Sequence, residues 1–188
     1  GAVVTSSSGN ERDSSRMSAP ACVQKAVAVA ATWDFSGGAR TFLGCAESST
    51  APKQPACFSN RSTTTDIYAA GAFVTSTGLN GVTSTFGGTS MASPMAAACA
   101  IALKQAAPLS TVDQRAEAMR LAPTTVTDTV SGRSYPFLDC IDALELLTAD
   151  IPAVLDIADA SVVEGNDGAR SATFVATLSK PAPAPGVS

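Results

Sequence analysis

Gly87-Gly88-Thr89-Ser90-Met91-Ala92-Ser93-Pro94 is the stretch on which the reading of this chain turns. Two adjacent glycines allow a tight backbone turn. The residues that follow, Ser90 to Ala107, are rich in Ala and almost continuously apolar. That pattern predicts a helix buried nearly all round, with Pro94 in its first turns and Pro108 at its end. Ser90 then lies in the first turn, near the positive end of the helix dipole. Its own N–H points toward any oxyanion that develops on an attacked carbonyl. The plain alternative is a helix cap, because Ser is a favoured cap residue.

Outward from this string the pattern is α/β. Upstream, Val3-Val4-Thr5 reads as a short strand running into the turn-rich Ser6-Ser7-Ser8-Gly9-Asn10. The run Ala26-Val27-Ala28-Val29-Ala30-Ala31 reads as a strand buried on both faces of a parallel sheet. Residues 35–57 form a loop or hairpin insertion, and Asp66-Ile67-Tyr68-Ala69 is another short strand, ended by Gly71. Thr83-Ser84-Thr85-Phe86 leads into the glycine pair. Downstream, Thr111-Val112-Asp113-Gln114 has the form of a capping box opening a helix to about Leu121. Leu138, Ile141, Leu144 and Leu147 define one face of a third helix, with Asp139, Asp142 and Glu145 on its solvated side. Trp33 and Tyr68 read as packing residues.

Composition narrows the chemistry. The 188 residues carry 12 Lys+Arg against 16 Asp+Glu, a formal charge of −4, and no His. A hydrophobic content of 45% is enough for a packed core and excludes wholesale disorder. No apolar run is long enough for a transmembrane helix. The mild acidity argues against nucleic acid as a partner. Without His, this polypeptide alone has no Ser–His dyad, no His-ligated zinc and no His general base. The start, Gly1-Ala2-Val3-Val4, has neither an initiator Met nor signal-peptide features, so the sequence is expected to begin inside a longer chain.

None of the five cysteines forms a C-x-x-C pair. Cys45 and Cys57 flank a polar loop that a bridge would close. Cys99 and Cys140 lie in apolar helical stretches and would pair if those helices pack together, leaving Cys22 over. Buried free thiols are the alternative. The expected bridges and a charged fraction of only 15% favour an extracellular, secreted protein.

The string Gly88-Thr89-Ser90-Met91-Ala92-Ser93-Pro94 resembles the nucleophile motif of the subtilisin-like serine proteases, the subtilases (peptidase S8 family). Met95 stands where that family usually has a His outside its triad. Ser7-Ser8-Gly9-Asn10 resembles the family's Ala-Ala-Gly-Asn segment. Ala26 to Ala31 resembles its buried Val-Ala-Val-Gly-Ala strand. Phe58-Ser59-Asn60 and Asp66-Ile67-Tyr68-Ala69-Ala70-Gly71 resemble a further pair of segments, with Ala70 in place of Pro. The resemblance covers about residues 1–149. It implies the C-terminal half of a three-layer α/β/α domain with a mostly parallel sheet. It also implies a serine endopeptidase working through an acyl-enzyme, with Ser90 as nucleophile and Asn10 in the oxyanion hole. Ser8, Gly9 and Thr89 would lie at the substrate. In the family's order the catalytic Asp and His precede this Asn, so both are expected upstream of Gly1 and the chain alone is expected to be inactive. Protein or peptide substrates follow. No cofactor is needed for the chemistry, although the complete protein has room for calcium. An α/β-hydrolase elbow fits poorly, because Ala92 takes its last Gly position and no His follows. The competing function is a non-catalytic extracellular binding or adhesion protein on the same scaffold. Retention of both Ser90 and Asn10 speaks against it.

Residues 150–188 change character. Ala158 to Gly168, followed by Ala172 to Ser179, resembles the start of a Calx-beta domain, a calcium-binding all-β sandwich. Only its first strands would be present, as a hairpin turning at Gly165-Asn166-Asp167-Gly168, with further β-sandwich modules downstream. The resemblance gives Glu164 as a calcium position, which alone falls short of the six to eight oxygens that the ion takes.

Overall fold

The small apolar run in the first third of the chain sits in the middle of a parallel sheet. β1 (Thr5–Ser7) pairs with β2 (Val27–Thr32) with Ser7 opposite Val29. The computed structural model describes residues 1–149, 155–157, 160 and 173–178. Next in the chain come β3 (Arg40–Phe42) and β4 (Cys45–Glu47), an antiparallel hairpin inside the expected insertion. β5 (Ile67–Ala70) completes the sheet on the other side of β2, parallel, with Ala30 opposite Tyr68. Every residue of β2 is buried, as a central strand covered on both faces requires. β1 begins two residues later than expected. The Val4 carbonyl still accepts the Val27 N–H at 2.8 Å, but the Val4 side chain is exposed.

β6 (Val74–Thr77) and β7 (Thr83–Phe86) form a second hairpin that delivers the chain to the glycine pair. Gly88, at φ +142°, caps α1 (Thr89–Ala106). α1 buries Thr89, Ala92, Ala96, Cys99, Ala100 and Leu103, a stripe at helical spacing that packs on the β2 and β5 face carrying Val29, Ala31, Ile67 and Ala69. The expectation of a helix buried all round needs correction, because Met95 and Ile101 on its outer side are exposed. Nothing among the described residues covers that side. Thr5 Oγ1 donates to the Ser93 carbonyl at 3.1 Å and ties α1 to β1.

α2 (Val112–Arg120) opens on the expected capping box: Gln114 N–H donates to Thr111 Oγ1 at 3.1 Å, and Thr111 N–H donates to Gln114 Oε1 at 2.8 Å. The hairpin of β8 (Thr125–Asp128) and β9 (Arg133–Pro136) covers the other sheet face, where Val126 and Tyr135 meet Ala30 and Tyr68. Trp33 and Tyr68 are buried packing residues, as read.

α3 (Cys140–Ala149) starts two residues later than expected and is rotated. Leu138, Leu144 and Leu147 pack on the core, but Ile141 is exposed and Ala143 is buried instead. The Cys99–Cys140 disulfide, with its Cα atoms 5.6 Å apart, draws the Cys140 side of α3 onto α1. Asp139 is partly exposed and also caps the helix. Its Oδ1 accepts the N–H groups of Ile141 at 3.0 Å and Asp142 at 3.2 Å. Cys45–Cys57 is also formed, with its Cα atoms 6.0 Å apart, and Cys22 is free and exposed.

Contacts divide the chain into Gly1–Ala149 and Asp150–Ser188. In the second unit β10 (Leu155–Ile157) pairs antiparallel with β11 (Ala176–Leu178), Ile157 opposite Ala176. Of the expected strand over 173–178, residues 173–175 precede the paired segment. The expected turn at 165–168 and Glu164 lie outside the described residues.

Candidate active site

Three segments distant in sequence meet at the start of α1. The first is the loop after β1. Ser8 is fully buried; its N–H donates to the Val29 carbonyl at 3.0 Å and its Oγ to the Asn60 carbonyl at 2.7 Å. Gly9 follows at φ +108°, in a conformation that side chains resist, and an added Cβ would lie 2.4 Å from Asn60 Nδ2 and from Ser18 Oγ. This turn brings Asn10 across to α1.

There Asn10 Oδ1 accepts two hydrogen bonds from one residue, Thr89 N–H at 2.9 Å and Thr89 Oγ1–H at 3.0 Å. Gly9 N–H donates to Thr89 Oγ1 at 3.1 Å and closes the ring. The whole Asn10 amide lies against the Gly88 backbone: a Cβ on Gly88 would sit 3.3 Å from Asn10 Nδ2 and 3.5 Å from Oδ1. With the oxygen committed to Thr89, the amide keeps Nδ2 as its donor. Neither Asn10 Nδ2 nor Ser90 N–H has a hydrogen bond among the described residues. Ser90 is exposed, and Met91 N–H turns back to the Gly88 carbonyl at 2.9 Å.

The second segment is the end of β5. Gly88 N–H donates to the Gly71 carbonyl at 2.8 Å. A Cβ on Gly71 would lie 2.9 Å from the Gly88 carbonyl oxygen and 3.0 Å from Ala92 Cβ, so Gly71 is a glycine for space. The third segment is Asn60, whose Oδ1 accepts the N–H groups of Glu11 and Asp13 at 2.9 Å each while its Nδ2 donates to Glu11 Oε2 at 2.5 Å. These bonds fix the chain just beyond Asn10. The Asn60 amide holds the Glu11 carboxyl below its ordinary value. The Ser15 N–H does the same for Asp13, which also pairs with Arg16 at 2.8 Å.

Of the residues expected at the site, Ser90 is exposed and Gly9 and Asn10 are half-buried. Ser8 and Thr89 are fully buried, so their hydroxyls support the loop and Asn10. Gly71 and Asn60 were not expected as supports, although both lie in the segments that carried the resemblance. Among the described residues, the metal-ligating groups that cluster are Cys45, Glu47 and Cys57. Both sulfurs are spent in the disulfide. The Glu47 carboxylate accepts from Trp33 Nε1 at 2.9 Å, Cys57 N–H at 2.7 Å and the Gln54 amide. In this state the cluster offers a metal nothing.

The model of the Subtilase family matches residues 1–137. No curated protein sequence matches the chain. Similar solved structures include the prenylagaramide maturation protease PagA, with 23% identity and a TM-score of 0.61, covering 78% of this chain and 50% of that one. A structure of proteases from Pseudoalteromonas arctica has 24% identity and a TM-score of 0.57, covering 77% of this chain and 42% of that one. The self-cleaved protease domain of PatA has 21% identity and a TM-score of 0.56, covering 76% and 49%. These likenesses carry the fold, and the chain spans about half the length of the structures it matches.

Proposed function

Because the chain belongs to the subtilase family, we propose that it is the part of a serine endopeptidase that carries the nucleophile and the oxyanion hole. Ser90 Oγ attacks the scissile carbonyl. The carbonyl oxygen becomes an oxyanion and takes hydrogen bonds from Asn10 Nδ2 and Ser90 N–H. Collapse of the tetrahedral species expels the amine and leaves an acyl-enzyme on Ser90, which water then hydrolyses. The general base and its orienting carboxylate are a His and an Asp N-terminal to Gly1 in the complete protein. The observation that carries this reading is the double acceptance by Asn10 Oδ1 from Thr89. It commits the amide oxygen and leaves Nδ2 as the donor, beside an exposed Ser90 whose own N–H has no partner among the described residues.

Residues 1–149 are the C-terminal part of the peptidase domain, and 150–188 open a Calx-beta-like module with more to follow. Substrates are proteins or peptides. The chemistry uses no cofactor; the complete protein has room for calcium, but Glu164 alone falls short of the oxygens that the ion takes. Two disulfides are compatible with an extracellular protein.

The test is burst kinetics on the full-length protein with an activated ester. An acyl-enzyme burst of one equivalent, lost in Ser90→Ala, supports the reading. No burst from the full-length protein, or a burst that survives Ser90→Ala, overturns it and leaves a binding scaffold.

A further inference from the structure

Gly87 and Gly88 are glycines for different reasons. Gly88 needs its backbone conformation, at φ +142°, whereas Gly87 is not among the positive-φ residues. At Gly87 the limit is space. A Cβ there would lie 2.6 Å from Phe42 Cε1 and 2.8 Å from Phe42 Cζ. Phe42 comes from the β3–β4 hairpin, so its ring is pressed onto the backbone three positions before Ser90.

The hairpin is fixed behind that ring. Phe42 pairs in register with Cys45, and Cys45 is bonded to Cys57, the neighbour of Phe58. The Phe42 ring meets Phe73 at a tilt, with centroids 4.8 Å apart, and Phe58 edge to face at 5.5 Å. The hairpin tip also reaches the other side of the site: Arg12 Nη1 donates to the Gly44 carbonyl at 2.8 Å, two residues beyond Asn10. One disulfide-pinned hairpin thus touches both backbone segments that carry the oxyanion donors.

We propose that the β3–β4 hairpin is a clamp on the oxyanion hole, and that Phe42 is a positioning residue that sets the Gly87–Ser90 turn relative to Asn10. This rests on the serine-protease reading above. A displaced donor weakens the transition state more than the bound substrate, so the clamp acts on kcat. Misplacement by about 1 Å can cost about a hundredfold in rate.

The test is a double-mutant cycle in the full-length protein. Phe42→Ala should lower kcat about tenfold or more with KM within about twofold, and Phe42→Leu should recover most of the loss. Gly87→Ala should also lower kcat, but should cost little further in the Phe42→Ala background, where the ring no longer blocks the methyl. Unchanged kcat in Phe42→Ala, a change in KM alone, or equal Gly87→Ala costs in both backgrounds overturns the clamp. If the full-length protein cleaves nothing, the function reading fails separately, and the clamp is read from amide exchange at Thr89 N–H. Phe42→Ala should speed that exchange about tenfold without unfolding the chain, and an unchanged rate overturns the proposal.

Discussion

Asn10 Oδ1 and Thr89 are joined by two hydrogen bonds, at 2.9 Å from Thr89 N–H and 3.0 Å from Thr89 Oγ1, across 79 positions of sequence. The pair locks the amide of Asn10 in one orientation. It also joins the β1 loop to the first residue of α1. The pair therefore directly links the two segments that carry the proposed oxyanion donors.

Thr89→Val keeps the shape of this buried side chain and removes its hydroxyl. Asn10 Oδ1 then keeps only the backbone donor, and Gly9 N–H loses its acceptor. Turnover of the full-length protein should fall about tenfold, with KM nearly unchanged, and Thr89→Ser should restore it. Steady-state kinetics on a peptide substrate make the check, and a rise in KM alone contradicts it.

Asn10→Ala removes a proposed oxyanion donor outright. kcat should drop about 10²–10³-fold, the loss that accompanies removal of one such donor. Substrate affinity should change far less. A mutant that binds weakly but turns over normally contradicts the assignment.

The buried ion pair of Arg61 and Asp128 is structural. Arg61 Nε lies 3.2 Å from Asp128 Oδ2, with the two side chains 4% and 3% exposed. Asp128→Ala leaves a buried guanidinium unpaired and should cost about 3–5 kcal/mol. Replacing both by apolar residues should cost much less. Urea denaturation checks the difference, and equal losses contradict it.

The two disulfides close loops of different length, with sequence separations of 12 and 41. Loop-closure entropy gives about 3 kcal/mol for Cys45–Cys57 and about 4 kcal/mol for Cys99–Cys140. Cys45→Ala/Cys57→Ala should therefore cost somewhat less stability than Cys99→Ala/Cys140→Ala. It should nevertheless cost more activity, because it frees the β3–β4 hairpin. The reverse order in activity contradicts that view.

Acid should loosen the Asn10 loop from its far side. The carboxyls of Glu11 and Asp13 are depressed below their ordinary 4.5 and 3.8 by the hydrogen bonds that they accept. Their contribution is present above those ordinary values. It is lost as pH falls through the lower folded values, because the unfolded chain binds the protons more readily. Amide exchange over residues 11–16, corrected for its intrinsic pH dependence, should lose protection below about pH 4. Protection that is flat down to about pH 2 contradicts this.

Local signals were legible in the sequence. The Gly87–Gly88 turn, the all-buried β2, the Thr111–Gln114 capping box and both disulfide pairs follow from neighbouring residues or from elements that must pack together. What could not be read depends on contacts between distant segments. Nothing near Gly87 announces that Phe42, 45 residues earlier, fills its Cβ position. Ser8 and Thr89 carry hydroxyls that suit a surface site, yet their bonds to Asn60 and Asn10 put both in the interior. Leu138 precedes α3, and on a helix that starts at Cys140 the inward face is Cys140, Ala143, Leu144 and Leu147, which leaves Ile141 exposed; the strict three-residue spacing from Leu138 does not show that start.

The most direct measurement is fluorophosphonate labelling of the full-length protein, with the adduct mapped by peptide mass spectrometry. The account predicts one adduct, on Ser90, absent from Ser90→Ala and much slower to form in Asn10→Ala. An adduct on any other residue, or no adduct in a protein that carries the upstream Asp and His, would contradict it.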